Sequence, residues 1–450
     1  MHKKLTFLLV LLFASSTAFA QSNTTFSWDG EIRGQYQYWG NEDLDTTSDD
    51  FRNYKLLRTR LGVKAEIMEN TSAYVQIQDN RGAGSEFNVY DADGDGLVTG
   101  SIYEGLDVHQ AYIMLDKLWD SPFSLKVGRQ ELSYGDGRLI GADNWSNTGT
   151  AFDAAKLTFN QGRVSLDLFT AQLVRYWGRD GSSMPNITMS GLYSSVNYME
   201  KGMWDFYLLL YYDGSEGIDA PFEDPAGTIA DNTMLWTLGT RTSGMLFDDN
   251  ISYHGEFAYQ LGNWISSSVS ALAFSLGAGF EFSGEMAPYF GLDFNYASGD
   301  DSVDDGDRGT FTNLFPANHG KYGAMDQFAW QNMVNLKATA GFKPVEKLDI
   351  HGDFHFFWLA QENDAWYQSL GLPWYSPGNP NAAQKFGRGA GNTEKNAGNE
   401  LDLLLKYQYN DAVSWHLGFS HFFAGNVVDT ALGGDAGDAN WFYAQMKVGF

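Results

Sequence analysis

The chain has no cysteine, so its fold cannot rest on disulfides in any compartment. Beyond residue 20 no apolar run reaches the roughly 18 residues that a membrane-crossing helix needs, and mean hydropathy is only -0.32. These two absences exclude a disulfide-framed module and a helical membrane protein. Positive charge is scarce as well. Against 56 Asp and Glu stand 29 Lys and Arg, a net charge of -27, which argues against a nucleic-acid partner because its phosphates would be repelled. Much of the acid lies in segments that read as loops, Glu42 to Asp50, Asp91 to Asp95 and Asp300 to Asp307. Divalent cations bridging such loops to anionic outer-leaflet lipid or lipopolysaccharide would account for it, and so would plain solvation.

What is plentiful is aromatic and small. The chain carries 14 Trp, 24 Tyr and 32 Phe, and its Gly 50 exceeds the usual share of about 7%. Aromatic girdles, with glycine at tight corners or crowded lumenal positions, suit a transmembrane β-barrel. Residues 1–20 read as a secretory signal: His2, Lys3 and Lys4 form the positive start, Leu5 to Phe13 the apolar run, and Ala18-Phe19-Ala20 the small-x-small cleavage site. One barrel domain is expected over residues 21–450.

Alternation supports that expectation. Ile32, Tyr36 and Tyr38 fall on one face and Asp29, Glu31, Arg33, Gln35 and Gln37 on the other; Leu57, Leu61 and Val63 oppose Arg58, Arg60, Lys64 and Glu66. In a barrel the first set meets lipid and the second a wet lumen. Short turns near Glu69 to Thr71, 117–121, 160–163, 200–203, 244–250, 283–285, 343–347 and 409–412 alternate with connections that are mostly long, giving about eighteen antiparallel up-and-down strands. The last strand ends Phe442, Ala444, Met446, Val448, Phe450 on one face. A terminal Phe on such a pattern resembles the signal read by the barrel-assembly machinery.

The most informative stretch is Lys126 to Phe159, which reads as strand, long polar loop, strand. GRQELSYGDGRLIG, NWSNTG and FDAAKL within or beside it, followed in order by YASGDD, TFTNLFPANHGKYG, QN, DAWY and NELDLLLKY, resemble the alginate export family of outer-membrane β-barrels. The resemblance implies an eighteen-stranded barrel in the outer membrane of a Gram-negative bacterium that passes anionic polysaccharide or smaller sugar acids. The residues alone support a polar pore, conducting passively and expected to be monomeric. A general diffusion porin without saccharide specificity is the alternative. An enzyme is not expected, because no local grouping of Ser, His and Asp supplies nucleophile, base and orienter.

Several side chains are candidates for the pore's chemistry. Arg33, Arg58, Arg60, Lys64, Lys126, Lys156, Lys337 and Lys406 are predicted to face inward, and Arg138 sits in the long loop. They could form a positive constriction for carboxylated sugars, or pair with inward acids such as Glu31, Asp167, Glu256, Asp293, Asp353, Glu400 and Asp402. The segment Tyr134 to Thr150 is expected to fold inward and narrow the channel, with Trp145 as its anchor on the wall. Arg129 falls on the apolar parity of its strand, so either a bulge re-aims it or it lies above the hydrocarbon. His351 and His355 share a face with Asp349 and Asp353, but positions four apart on a strand are separated by ~13 Å. One ion would need ligands from neighbouring strands, and lumenal polarity is the better account of them.

Asp91, Asp93 and Asp95 with Gly96 match the first half of a calcium loop, whereas position twelve is Ile102 and the nearest acid, Glu104, comes two residues late. They are candidate calcium ligands in an extracellular loop, and no other cofactor is expected. Isothermal calorimetry should show a calcium-dependent heat that vanishes in Asp93→Ala; a wild type without that heat has a merely acidic loop.

Overall fold

The computed structural model describes residues 24–47, 51–84, 88–90, 97–99, 104–174, 183–214, 232–302, 305–369 and 392–450. The signal segment and the candidate calcium ligands Asp91, Asp93 and Asp95 lie outside the described residues. Eighteen strands form the wall. The first six are β1 Thr25–Gly40, β2 Phe51–Met68, β3 Thr71–Gly84, β4 Glu104–Leu115, β5 Phe123–Gln130 and β6 Ala151–Gln161. There follow β7 Val164–Val174, β8 Ser183–Met199, β9 Gly202–Asp213, β10 Thr233–Leu246, β11 Ile251–Trp264 and β12 Ser267–Glu281. The remainder are β13 Tyr289–Ala297, β14 Met333–Val345, β15 Leu348–Leu359, β16 Asn396–Gln408, β17 Val413–Ala424 and β18 Ala439–Gly449.

Each strand pairs antiparallel with the next, and β18 closes on β1 from Glu31 opposite Gly449 to Gly40 opposite Asn440. Closure leaves no edge and so no unpaired row of backbone groups, the condition for sheet to cross hydrocarbon. A two-residue strand, Asp307–Arg308, adds in parallel beside β12, and the hairpin Asn88–Tyr90 with Leu97–Thr99 forms a small sheet of its own. Among the described residues no helix is long and apolar enough to cross a membrane.

The turns expected to be short all lie at one rim, where Gly30 and Phe450 also exchange backbone hydrogen bonds. The long connections lie at the other, apart from the tight link between Trp264 and Ser267. Period two is obeyed by burial: Ile32, Leu57, Leu61, Val75, Leu238, Leu276 and Leu403 are exposed outward, while Arg33, Arg58, Gln78, Gln260 and Asn335 are buried inward. Leaving a leucine in water forgoes about 1.5–3 kcal/mol, so a belt of them repeated strand after strand is a lipid face. Trp119, Phe247, Phe282, Tyr409 and Trp415, in or beside the short turns, are exposed and form a girdle at that rim.

Arg129 is not re-aimed by a bulge between β5 and β6. No register shift interrupts β5 against β6, and the side chain stays outward near the long-loop rim, bonded to Asp153 at 2.9 Å and to the Val108 carbonyl.

Leu61→Arg should destabilise the barrel by about 2–4 kcal/mol if Leu61 lies near the bilayer midplane, measured by denaturant titration of the protein refolded into vesicles. Because the chain has no native cysteine, single cysteines at Leu57, Leu61, Phe280, Phe294, Phe356 and Phe450 can be probed cleanly. They should resist a water-soluble maleimide in vesicles; ready labelling would overturn the lipid-face assignment.

Candidate functional site: a lumen narrowed by inserted loops

Three connections from the long-loop rim turn back and pack on the inward face of the wall. The first is 131–150, where Leu132, Leu139 and Ile140 are buried. The second, 308–332, runs beside it: Phe315 N donates to the Leu139 carbonyl, Gly141 N to the Phe315 carbonyl and Ala317 N to the Gly137 carbonyl, at 2.8–2.9 Å. The third enters through 360–369 and is held by Ala329 N to the Tyr367 carbonyl and by Trp366 Nε1 to the Gln327 carbonyl, both 2.8 Å. Phe311, Tyr322, Phe328, Trp330 and Trp366 from these loops are buried with Phe357, Phe422 and Trp441 of the wall. They give the barrel interior an apolar core across its loop-side half.

Glycine permits the path at two places. Gly137 has φ +82°, and a Cβ on Gly141 would stand 2.5 Å from the Ala317 Cβ, so a side chain there would push the two loops apart.

Arginine on the wall holds the first loop in place. Arg33 donates through Nη1 to the carbonyls of Asn144 and Trp145 at 2.7 and 2.9 Å and through Nη2 to that of Ser146 at 3.0 Å. Arg58 donates to the carbonyls of Asn144 and Ser146 while binding Glu31 at 2.7 Å. Arg60 reaches Asn144 Oδ1 at 2.6 Å, Gln78, and Glu131 at 3.4 Å. A turn of backbone thus presents its carbonyls to three guanidinium groups, each of which can donate in a fork. Trp145 does pack on the wall, edge-on to Tyr443 and Trp441, but its closest partner is His319 of the second loop, stacked at 3.6 Å and 2°. His319 in turn binds Asp326 at 2.8 Å.

The other inward cations are distributed and mostly neutralised. Arg138 is enclosed by Tyr322 at 2.6 Å, Asp136 at 3.0 Å and Glu256 at 3.7 Å, below the Trp330 ring. Lys64 pairs with Glu66, Lys156 with Asp167 and Lys337 with Asp293, whereas Lys126 lies over the Tyr112 ring at 3.8 Å. Lys406 is exposed and forms no ion pair among the described residues. Lys447, not among the inward cations expected from the sequence, pairs with Glu31 at 2.9 Å. Its alternation with Phe442, Ala444, Met446 and Val448 marks it as inward, so the signal was there. Also missed was the inward course of the second and third loops, whose polar composition does not distinguish a lumenal loop from one in solvent.

A closed eighteen-stranded barrel whose interior is crossed by loops and lined with charge defines an outer-membrane β-barrel of the porin class. The chain belongs to the alginate export family, whose profile matches residues 25–442. Solved structures agree on the fold. Pseudomonas aeruginosa OprD is 12% identical with a TM-score of 0.57 over 96% of this chain and 97% of its own. P. aeruginosa OccD3 (OpdP) is 11% identical with a TM-score of 0.59 over 96% and 93%. Acinetobacter baumannii OccAB4 is 10% identical with a TM-score of 0.57 over 96% and 99%. No curated protein matches the chain in sequence. The protein resides in the bacterial outer membrane, with its short turns on the periplasmic side.

Asp143, in the first loop, gives the docking a pH dependence. Burial, together with the neighbouring Asp326 carboxylate, lifts its carboxyl from 3.8 to about 6, against the pull of Ser146 and His319. The folded value exceeds the unfolded one, so ionisation is what the docked loop disfavours. The penalty is absent below about pH 4 and complete above about pH 6, and docking is tighter in acid. Asp143→Asn should remove this component and give lower, quieter single-channel conductance than wild type at about pH 8, the two converging at about pH 4. Identical behaviour of the two proteins at both values would mean that Asp143 has no part in docking.

Proposed function

We propose that the protein is a passive channel selective for small hydrophilic anions, with sugar acids and short carboxylated saccharides as its solute class. The observation that carries this reading is a row of like charge. Lys447, Arg33 and Arg58 stand directly opposite one another on the neighbouring strands β18, β1 and β2. Like charges at cross-strand positions destabilise a sheet. One carboxylate, Glu31, serves both ends of the row, and Arg33 takes neutral carbonyls instead. A wall built only for stability would intersperse acids here, as it does at Lys156 and Lys337. Uncompensated positive potential inside a narrow low-dielectric passage raises the local concentration of anions.

Transport is passive in this reading: the loops supply a constriction, and a carboxylated solute passes by exchanging hydration for weak contacts with cations on the wall. Family membership supports a saccharide-related solute, since the family takes its description from alginate export.

Reversal potentials in a planar bilayer under a salt gradient test the proposal. Wild type should favour anions. Lys447→Glu, which touches no loop, should shift the reversal potential toward cations with little change in conductance. Arg58→Gln should raise conductance as well, because it releases the Asn144 and Ser146 carbonyls. Deletion of Gly137 to Asn147 should raise it further. Equal permeability to anions and cations in wild type would mark a general diffusion porin instead.

A further inference from the structure

Where the second loop meets the wall, two adjacent strands bring four titratable side chains into one buried cluster. Asp353 of β15 stands opposite Asp402 of β16, and His355 opposite Glu400. Alternation turns all four inward. His355 and Glu400 are fully buried, Asp402 is 1% exposed and Asp353 8%. Asp353, His355 and Asp402 offer ligand atoms that all lie within 4.8 Å of one another. Lys337, which stands opposite His355, is turned away onto Asp293 at 3.1 Å, and no lysine or arginine pairs with any of the three carboxylates among the described residues.

Three carboxylates in so dry a place, with no lysine or arginine to pair them, are costly unless protons or a cation neutralise them. One atom points to a cation. His355 Nε2 has no hydrogen-bond partner and faces Asp402 Oδ2 at 3.6 Å, while the Glu400 carboxyl lies against that of Asp402. The remaining bonds position the ligands without exhausting them. Met325 N donates to Glu400 Oε1 at 2.8 Å and Ala324 N to Asp402 Oδ2 at 3.3 Å, Ser420 donates to Asp402, and Thr339 to Asp353. Each carboxylate retains lone pairs for another contact.

We propose that Asp353, His355 and Asp402, with the Glu400 carboxyl beside them, bind one divalent transition-metal ion that fastens the second inserted loop to the barrel wall. One imidazole with two or three carboxylates suits zinc or manganese. Metal–ligand bonds of about 2.0–2.2 Å place two ligand atoms at most about 4.4 Å apart, so the observed spacing needs only a small inward movement of side chains. Ligation through Nε2 has one consequence for its neighbour. Asn335 Nδ2 now faces His355 Nδ1 at 3.2 Å, which puts the imidazole proton on Nε2. On binding, that proton shifts to Nδ1, and the Asn335 amide must then turn its oxygen to it, giving up its present bonds with Asn295 and the Phe356 carbonyl. Because Glu400 and Asp402 also receive the amides of Met325 and Ala324, the ion sits beneath the loop it secures.

The test uses the full-length mature barrel in detergent, stripped with a chelator and then incubated separately with zinc chloride, manganese chloride and calcium chloride. After desalting, elemental analysis should find one zinc or manganese ion per chain and no retained calcium. His355→Gln and Asp402→Asn should lose the ion while keeping a β-sheet circular dichroism spectrum and heat-modifiable migration. In planar bilayers, stripping should raise or destabilise wild-type conductance, and the retained metal should restore it. Should either variant fail to fold, cobalt substituted into wild type decides: a visible spectrum of nitrogen and oxygen ligation at one equivalent supports the site. Wild type that retains neither zinc nor manganese stoichiometrically and takes up no cobalt, or variants that fold and bind as wild type does, would overturn the proposal and leave a carboxyl cluster that shares protons.

Discussion

Hydrocarbon offers no water to hydrogen-bond with, so every backbone N–H and C=O that crosses it must find a partner in the protein. That constraint makes the sheet close, with β18 returning to β1 in an unbroken antiparallel ladder. Closure at eighteen strands then creates the next problem, an interior too wide for side chains from the wall to fill. The loops respond to it. Phe311, Phe328, Trp330 and Trp366 build inside the barrel the apolar core that the lipid-facing wall cannot provide by itself. The wall is stabilised from outside by lipid and from within by its own connections.

Inserted loops bring unpaired carbonyls into the lumen, and guanidinium groups are matched to them. Arg33, Arg58 and Arg60 carry fixed forks that meet the Asn144 to Thr148 backbone from two strands. The same residues place positive charge beside the passage, so in the proposed function mechanical support and electrostatic selection would reside in one set of side chains. Lys447 is the member of that row least involved with the loop. Three strands from β1 along the wall, the second loop rests on the opposite charge, the carboxylates Glu400 and Asp402 of β16, through the amides of Met325 and Ala324. One loop docks by its carbonyls on cations and another by its amides on anions. In both, charge-assisted hydrogen bonds anchor backbone that secondary structure leaves unsatisfied.

The motifs that carry the family resemblance take on a physical meaning in this setting. GRQELSYGDGRLIG, TFTNLFPANHGKYG and DAWY largely cover the segments that fold inward and touch one another. Their glycines, amides and aromatics are what a loop needs when its surroundings are a crowded interior. Nothing in their local composition distinguishes that setting from solvent, which is why only the stretch around Tyr134 to Thr150 was read as lumenal.

Strand number, the two rims, the lipid face and the inward aim of Arg33, Arg58 and Arg60 were determined by the sequence alone. The period of two is local, and a residue's parity follows from its immediate neighbours. Tertiary structure decided what those inward side chains meet. Trp145 was legible as an aromatic anchor, yet its stacking on His319 joins residues far apart in the chain. His351 and His355 lie on one strand and look like a pair, but His351 binds Asp349 on its own strand. His355 instead joins Glu400 and Asp402, whose register depends on how β16 returns after a long connection. Cross-strand register and loop docking are fixed by closure of the whole barrel, a global condition that local alternation does not encode.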